Sequence, residues 1–232
     1  MTPTLLAPAS QALLARTPYI TAWEYETPVQ APLVLARVWG VPWGIGFGKE
    51  SLYDRDINRV LWSACGIMPG RGRPDYRRIH PQRQRRCMGS LLCQVCAGRA
   101  DETEQGLLWL LDTEGLASPV PAEEERTTHP PVCRRHVGVA IGLCPTLRRG
   151  HVLVRVKEPV VAGVHGQVYR YYADLLRAGR HFLVPDGEKQ YVNYTDPRAR
   201  WTLAGQLFAE LHGISPVIGD EYDAILREVS PA

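Results

Sequence analysis

The stretch Cys93-Gln94-Val95-Cys96-Ala97-Gly98 is a C-x-x-C followed closely by glycine. A tight turn of this kind faces two thiolates toward one ion, and glycine permits a left-handed backbone just after it. Later comes Cys133-Arg134-Arg135-His136, at the start of a predicted helix from Pro131 to about Leu143 that Pro145 cannot continue. Ligands three residues apart share a face of the first helical turn. Zinc takes tetrahedral sets of cysteine and histidine, so Cys93, Cys96, Cys133 and His136 form the predicted set. Cys87 and His129 lie near enough in sequence to displace one of them. Four protein ligands close the shell and leave no position for water or substrate, which points to a structural ion. Cys65 and Cys144 read as small buried apolar residues.

The order of knuckle, apolar strand and helix carrying a second ligand pair resembles the treble-clef zinc-finger group. The resemblance covers about residues 87 to 147 and rests on the two short ligand pairs. It implies a zinc lobe whose hairpin carries an acidic insertion between Cys96 and Cys133. Nucleases of the HNH type share that lobe but place a histidine in the first strand of the hairpin. Here that strand reads Gly106-Leu107-Leu108-Trp109-Leu110-Leu111-Asp112, without histidine. The resemblance therefore implies no nuclease activity.

Around this lobe the chain reads as α+β. Residues 18–23, 32–38, 106–111, 151–157, 166–172, 181–184 and 190–194 are predicted strands. In 151–157 the alternation places Val152, Val154 and Val156 inward. The glycine- and aromatic-rich stretch Trp39 to Gly48 reads as a turn or bulge; its spacing fits neither a phosphate loop nor a dinucleotide fingerprint. Residues 66–78 and 112–131 read as loops. Helices are predicted from Pro81 to about Leu92, from Asp196-Pro197 to Gly213, and from about Asp220 to Val229, the last burying Tyr222, Ile225, Leu226 and Val229. The expected architecture is a mixed or antiparallel sheet, closed by the two C-terminal helices, with the treble-clef-like zinc lobe inserted at about residues 79–150. Residues 1–16 read as a leader, and 17–232 as one domain.

Composition narrows the function. The 232 residues are 45% hydrophobic and 22% charged, as in globular proteins. No apolar run approaches the ~20 residues of a membrane span, and Met1 to Arg16 lacks a basic region of the secretory type. A cytoplasmic protein without a membrane partner is expected. The net charge of +3 hides a pattern. Residues 71–86 hold seven Arg and one Asp, 101–125 hold eight acids and no base, and 126–150 hold five Arg and no acid. Arg77, Arg78, Arg83, Arg85, Arg86, Arg134, Arg135, Arg148 and Arg149 are the candidate surface for nucleic acid or another acidic partner, with Tyr76 available for stacking. Alternatively, the acidic block folds against the basic ones and neutralises them. The excess of Arg over Lys also fits codon bias.

Two functions stay open on the sequence alone. One is a zinc-stabilised binding or regulatory protein. The other is an enzyme acting on a small molecule or nucleic acid, with a purely structural zinc. His151, His165, Tyr169 and Tyr171 are then candidates without assigned roles.

Overall fold

The structure is a computed structural model that describes residues 8–29, 31–37, 43–113, 124–174 and 180–228. The elements begin with α1 (Pro8–Arg16), β1 (Thr21–Trp23), β2 (Leu33–Arg37), β3 (Trp43–Phe47), β4 (Leu61–Trp62), β5 (Pro74–Ile79) and α2 (Pro81–Gly89). Next come β6 (Glu102–Thr103), β7 (Gly106–Asp112), β8 (Glu124–Thr127), a 3-10 turn (Arg134–His136), α3 (Val137–Leu143) and α4 (Pro145–Arg149). The chain continues with β9 (His151–Asp174), β10 (Arg180–Pro185), β11 (Gln190–Asn193), a 3-10 turn (Pro197–Trp201), β12 (Thr202–Pro216) and α5 (Gly219–Arg227). The fold is mixed α/β and mostly strand. The pairs β1–β5, β2–β3, β6–β7, β7–β9, β8–β12, β9–β10 and β9–β11 are antiparallel, and β4–β12 is parallel. Among the described residues, no helix is long and apolar enough to cross a membrane.

The chain divides into two compact units. The first comprises residues 1–27, 65–161 and 209–232. In it β7 pairs with the start of β9 and with β6, β8 pairs with the end of β12, and β1 pairs with β5. Its core brings Leu108 and Leu110 of β7 and Leu153 of β9 against Val137 and Ala140 of α3 and Ile225 of α5. Burying each of these Leu, Val and Ile side chains contributes roughly 1.5–3 kcal/mol. The second unit comprises residues 28–64 and 162–208. There β2 and β3 form an antiparallel pair, β9 pairs with β10 and β11, and Ile45, Phe47 and Leu61 pack with Tyr169, Leu183 and Trp201.

Several expectations change. The predicted helix from Asp196 to Gly213 is a single 3-10 turn followed by the long strand β12. Asp196 does cap the turn, accepting from the Arg198 amide. Beyond it Leu, Ala, Gln and Glu favour helix by composition, but backbone pairing with β4 and β8 overrides that weak preference. Only α5 remains of the two C-terminal helices. It buries Ile225, while Leu226 is 36% exposed and Val229 lies outside the described residues.

The loop expected at 66–78 contains β5, and the one expected at 112–131 contains β8. The glycine-rich stretch after Trp39 provides strand β3; residues 38–42 lie outside the described residues. Gly44 and Gly46 serve close approach there, since a Cβ would strike the Arg200 backbone or the Ala36 side chain. The strands expected at 151–157 and 166–172 are one strand, β9. Leu153 and Arg155 are as buried as Val154 and Val156, so this segment is covered on both faces. Of the expected leader, residues 8–16 are helical.

A buried ion pair ties the first unit together around α2. Glu26 and Arg83 are 0% and 7% exposed. Arg83 donates from Nη1 and Nη2 to the two carboxylate oxygens at 2.9 and 2.5 Å, and from Nη2 to the Thr21 carbonyl. The Trp23 and Met68 amides donate to the same carboxylate. Burial alone would raise the Glu26 pKa, but Arg83 and the amides outweigh it and hold it below its ordinary value of 4.5. The stabilisation is therefore complete above that value and is lost as pH falls through the lower folded value.

Removing one partner strands the other charge. Arg83→Ala is expected to lower stability by about 3–5 kcal/mol in urea unfolding at neutral pH, and the Glu26→Gln, Arg83→Met double variant to lose less. An Arg83→Ala cost under ~1 kcal/mol would show that the pair does not hold α2 in place.

Candidate metal centre

The knuckle is built by its backbone. Cys93 donates its amide to the Gly98 carbonyl, and Ala97 donates its amide back to the Cys93 carbonyl, both at 2.8 Å. Leu92 and Arg99 form a bridge that closes the turn. The left-handed residue is Ala97, at φ 54°, and not Gly98. At Gly98 a Cβ would stand 3.3 Å from the Cys96 sulfur, a tight contact that would push that ligand atom. The knuckle is held to the segment before β1 by amides of Tyr19 and Ile20 on the carbonyls of Val95 and Gln94.

The second ligand pair lies where the helix was expected, but on its 3-10 entry turn. Cys133 precedes the turn in extended conformation, and the His136 amide donates to the Cys133 carbonyl at 2.9 Å. Val132 and Val137, on either side, are fully buried in the core and fix the pair against β7.

These two segments converge. The ligand atoms of Cys93, Cys96, Cys133 and His136 all lie within 4.8 Å of one another. Cys96 and Cys133 sulfurs are 4.0 Å apart, and Cys133 Sγ is 2.9 Å from His136 Nδ1. Ligands at ~2.3 Å from a tetrahedral ion stand roughly 3.8 Å apart, so the cluster could hold a metal ion with small side-chain adjustments. Cys93 is buried, Cys96 exposed, and Cys133 and His136 intermediate.

The electrostatics favour a thiolate at the buried corner. Cys93 is drawn down to about 5, chiefly because the Cys133 thiol donates to its sulfur, helped by backbone amides against the effect of burial. Cys133, the donor, is raised correspondingly, first by that bond and then by burial. Cys96 is raised by burial. A metal ion would replace the shared proton.

The alternatives stay outside the cluster. Cys87 is fully buried in α2, its thiol donates toward the Cys93 carbonyl at 3.6 Å, and burial pushes it up to about 12. His129 is held neutral by burial and turns toward Leu110 and Asp112. Cys144 packs on the core, and the Cys65 thiol donates to the Glu26 carbonyl.

The arginines separate into two groups. Arg83 is buried with Glu26, so it belongs to no surface. Arg78 donates to the Trp23 and Glu26 carbonyls, and Arg134 pairs with Glu228 at 2.5 Å. Arg85 is partly buried. Arg77, Arg86, Arg135, Arg148 and Arg149 are exposed, with Arg86 resting on the Tyr19 ring. The acidic block meets other partners: Asp101 pairs with the buried Arg155, Glu102 with Arg99, and Glu124 with His212. Residues 114–123 lie outside the described residues. A cleft of about 800 Å³ is lined by Arg73, Tyr76, Arg77 and Arg78, by the acids Glu24 and Asp75, and by Pro145, the first residue of α4.

Of the candidates for an enzyme, His151 is held between the Leu147 carbonyl and the Tyr222 hydroxyl, and Tyr169 packs in the second unit's core. His165 packs its ring against Tyr191. Tyr171 is 37% exposed. The sequence reading missed Glu26, whose partner Arg83 is 57 residues away, and Arg155 with Asp101 and Glu221. No local pattern marks either group.

The chain matches no protein-family model, no curated protein and no solved structure.

Cobalt titration separates the ligands from their neighbours. Cys133→Ser and Cys93→Ser are expected to abolish the thiolate-to-cobalt absorption, whereas Cys87→Ser should leave it intact. Loss of the band in Cys87→Ser alone would move the shell to Cys87.

Proposed function

We propose that this chain is a cytoplasmic, zinc-stabilised binding protein that engages nucleic acid through its arginine-rich cleft. Three thiols and one imidazole are the soft, four-donor set that zinc prefers, and a filled shell leaves zinc a structural role. The order of knuckle, β6–β7 hairpin and 3-10/α3 segment supports a treble-clef-like lobe.

One observation carries the binding reading: Arg73, just before β5, and Tyr76, Arg77 and Arg78 of β5 line one cleft with Pro145, the first residue of α4, the helix that ends in Arg148 and Arg149. Three arginines of the first basic block thereby share one concave surface, together with the carboxylates of Glu24 and Asp75. Guanidinium groups there suit phosphates, and Tyr76 offers a face for a base. Arg83, Arg78 and Arg134 contribute indirectly, through the fold. The four-donor shell and the dispersed His151, His165, Tyr169 and Tyr171 give the enzyme reading less support.

Protein purified without added metal is expected to contain about one zinc per chain. Its affinity for single-stranded nucleic acid should fall with rising salt. The Arg73→Ala, Arg77→Ala double variant should bind more weakly and with a salt slope smaller by about 2. Absence of zinc sinks the metal assignment, and absence of binding at low salt sinks the nucleic-acid assignment.

A further inference from the structure

We infer that the metal cluster is also a peroxide-sensitive switch: oxidation joins Cys96 and Cys133 in a disulfide and expels the ion. The inference rests on the zinc reading above and concerns the regulation of that same site.

The donors are not equivalent toward solvent. Cys93 is 0% exposed, whereas Cys96 is exposed and Cys133 intermediate. The Val95 amide donates to the Cys93 sulfur at 3.4 Å, and Cys93 packs in the core with Val132 and Val137. On the other side, Cys96 and His136 line a cleft of about 1110 Å³ that lies wholly within the first unit. A small oxidant arriving from solvent therefore meets Cys96 first.

The partner sulfur is in place. Cys133 Sγ lies 4.0 Å from Cys96 Sγ. A disulfide bond is about 2.0 Å long, so the sulfurs must close by about 2 Å, a movement that departure of the ion permits. Cys93 is the competing partner. Its sulfur is buried and already accepts the Val95 amide, so moving it toward Cys96 would break that bond and open the core. The Cys87 thiol is turned to the Cys93 carbonyl, and Cys65 and Cys144 stand outside the cluster. Cys133 is thus the resolving thiolate.

Hydrogen peroxide balances the chemistry. The zinc-bound Cys96 thiolate attacks one peroxide oxygen; the O–O bond breaks, a sulfenic acid forms and hydroxide leaves. The Cys133 thiolate then attacks the Cys96 sulfur; the S–S bond forms, the S–O bond breaks and a second hydroxide leaves. Two protons from solvent turn both hydroxides into water. The two thiolates lose two electrons, and the peroxide gains them. The ion keeps only Cys93 and His136, which is half of a tetrahedral shell, and departs. The disulfide then joins the same two pieces that the ion joined, the knuckle and the 3-10 turn, across 37 residues. Oxidation exchanges one cross-link for another and frees His136 at the cleft.

The test treats the zinc-loaded full chain with hydrogen peroxide, follows zinc release with a chelating dye, and maps disulfides in the alkylated, unreduced protein. Expected are release of the zinc, a Cys96–Cys133 disulfide, free Cys87 and Cys93, and renewed zinc binding after a thiol reductant. Cys96→His keeps a zinc ligand at that corner without its thiolate, and should release zinc about tenfold or more slowly. Cys87→Ser should release it at the parent rate. The inference is overturned if zinc stays bound in peroxide, if the disulfide includes Cys93 or Cys87, if oxidation yields no disulfide, or if Cys96→His releases zinc at the parent rate. Should Cys96→His fail to hold zinc, the disulfide map of the parent chain decides the matter. A chain that holds no zinc at the outset overturns the metal reading as well, whereas one that holds zinc and keeps it in peroxide overturns this inference alone.

Discussion

A carboxylate withdrawn from water has to be met by donors, and the first unit is organised around that requirement. Glu26 is fully buried, and it receives two bonds from Arg83 and one each from the amides of Trp23 and Met68. Those donors come from β1, from the loop before β5 and from α2. Joining the three sets the position of α2, and α2 leads directly into the knuckle. The same pair matches the charge of Arg83 with a carboxylate inside the fold.

The metal cluster depends on a second constraint, the packing of β7 against α3. Cys133 and His136 sit on a single 3-10 turn between two fully buried valines, Val132 and Val137. Their backbone can move little without opening the core around Leu108 and Leu110. On the other side, amides close the knuckle around Cys93. Two rigid pieces thus bring four donors together, and an ion joining them would cross-link segments far apart in sequence. The four ligand atoms already lie within 4.8 Å of one another, close enough to share one positive charge.

Much of the site was legible because metal ligation is written in short spacings. A C-x-x-C and a cysteine three residues before a histidine identify the same four side chains that the structure gathers. The fold was less legible where local preference and tertiary pairing disagree. β12 carries helix-forming residues at helical spacing, yet its backbone partners lie in β4 and β8, which no local pattern announces. β3 looks like a turn because of Gly44 and Gly46, whereas the missing side chains make room for Arg200 and Ala36. Gly98 illustrates the same point at the site: its lack of a Cβ serves the Cys96 sulfur, and Ala97 takes the left-handed conformation.

The sequence by itself determined the donor set, the strand character of the segments around β7 and β9, and the division of charge into blocks, because these follow from residue identity and short periodicities. Only the tertiary structure decided which arginines are available. Arg83 and Arg86 are three residues apart on one helix, but one is buried against Glu26 and the other lies in the open against Tyr19. Tertiary structure also decided that the start of α4 meets the arginines of β5 in one cleft, and that Cys96 and His136 line another. Burial and long-range pairing are properties of the closed chain, and they determine whether a charge is a contact for a partner or part of the core.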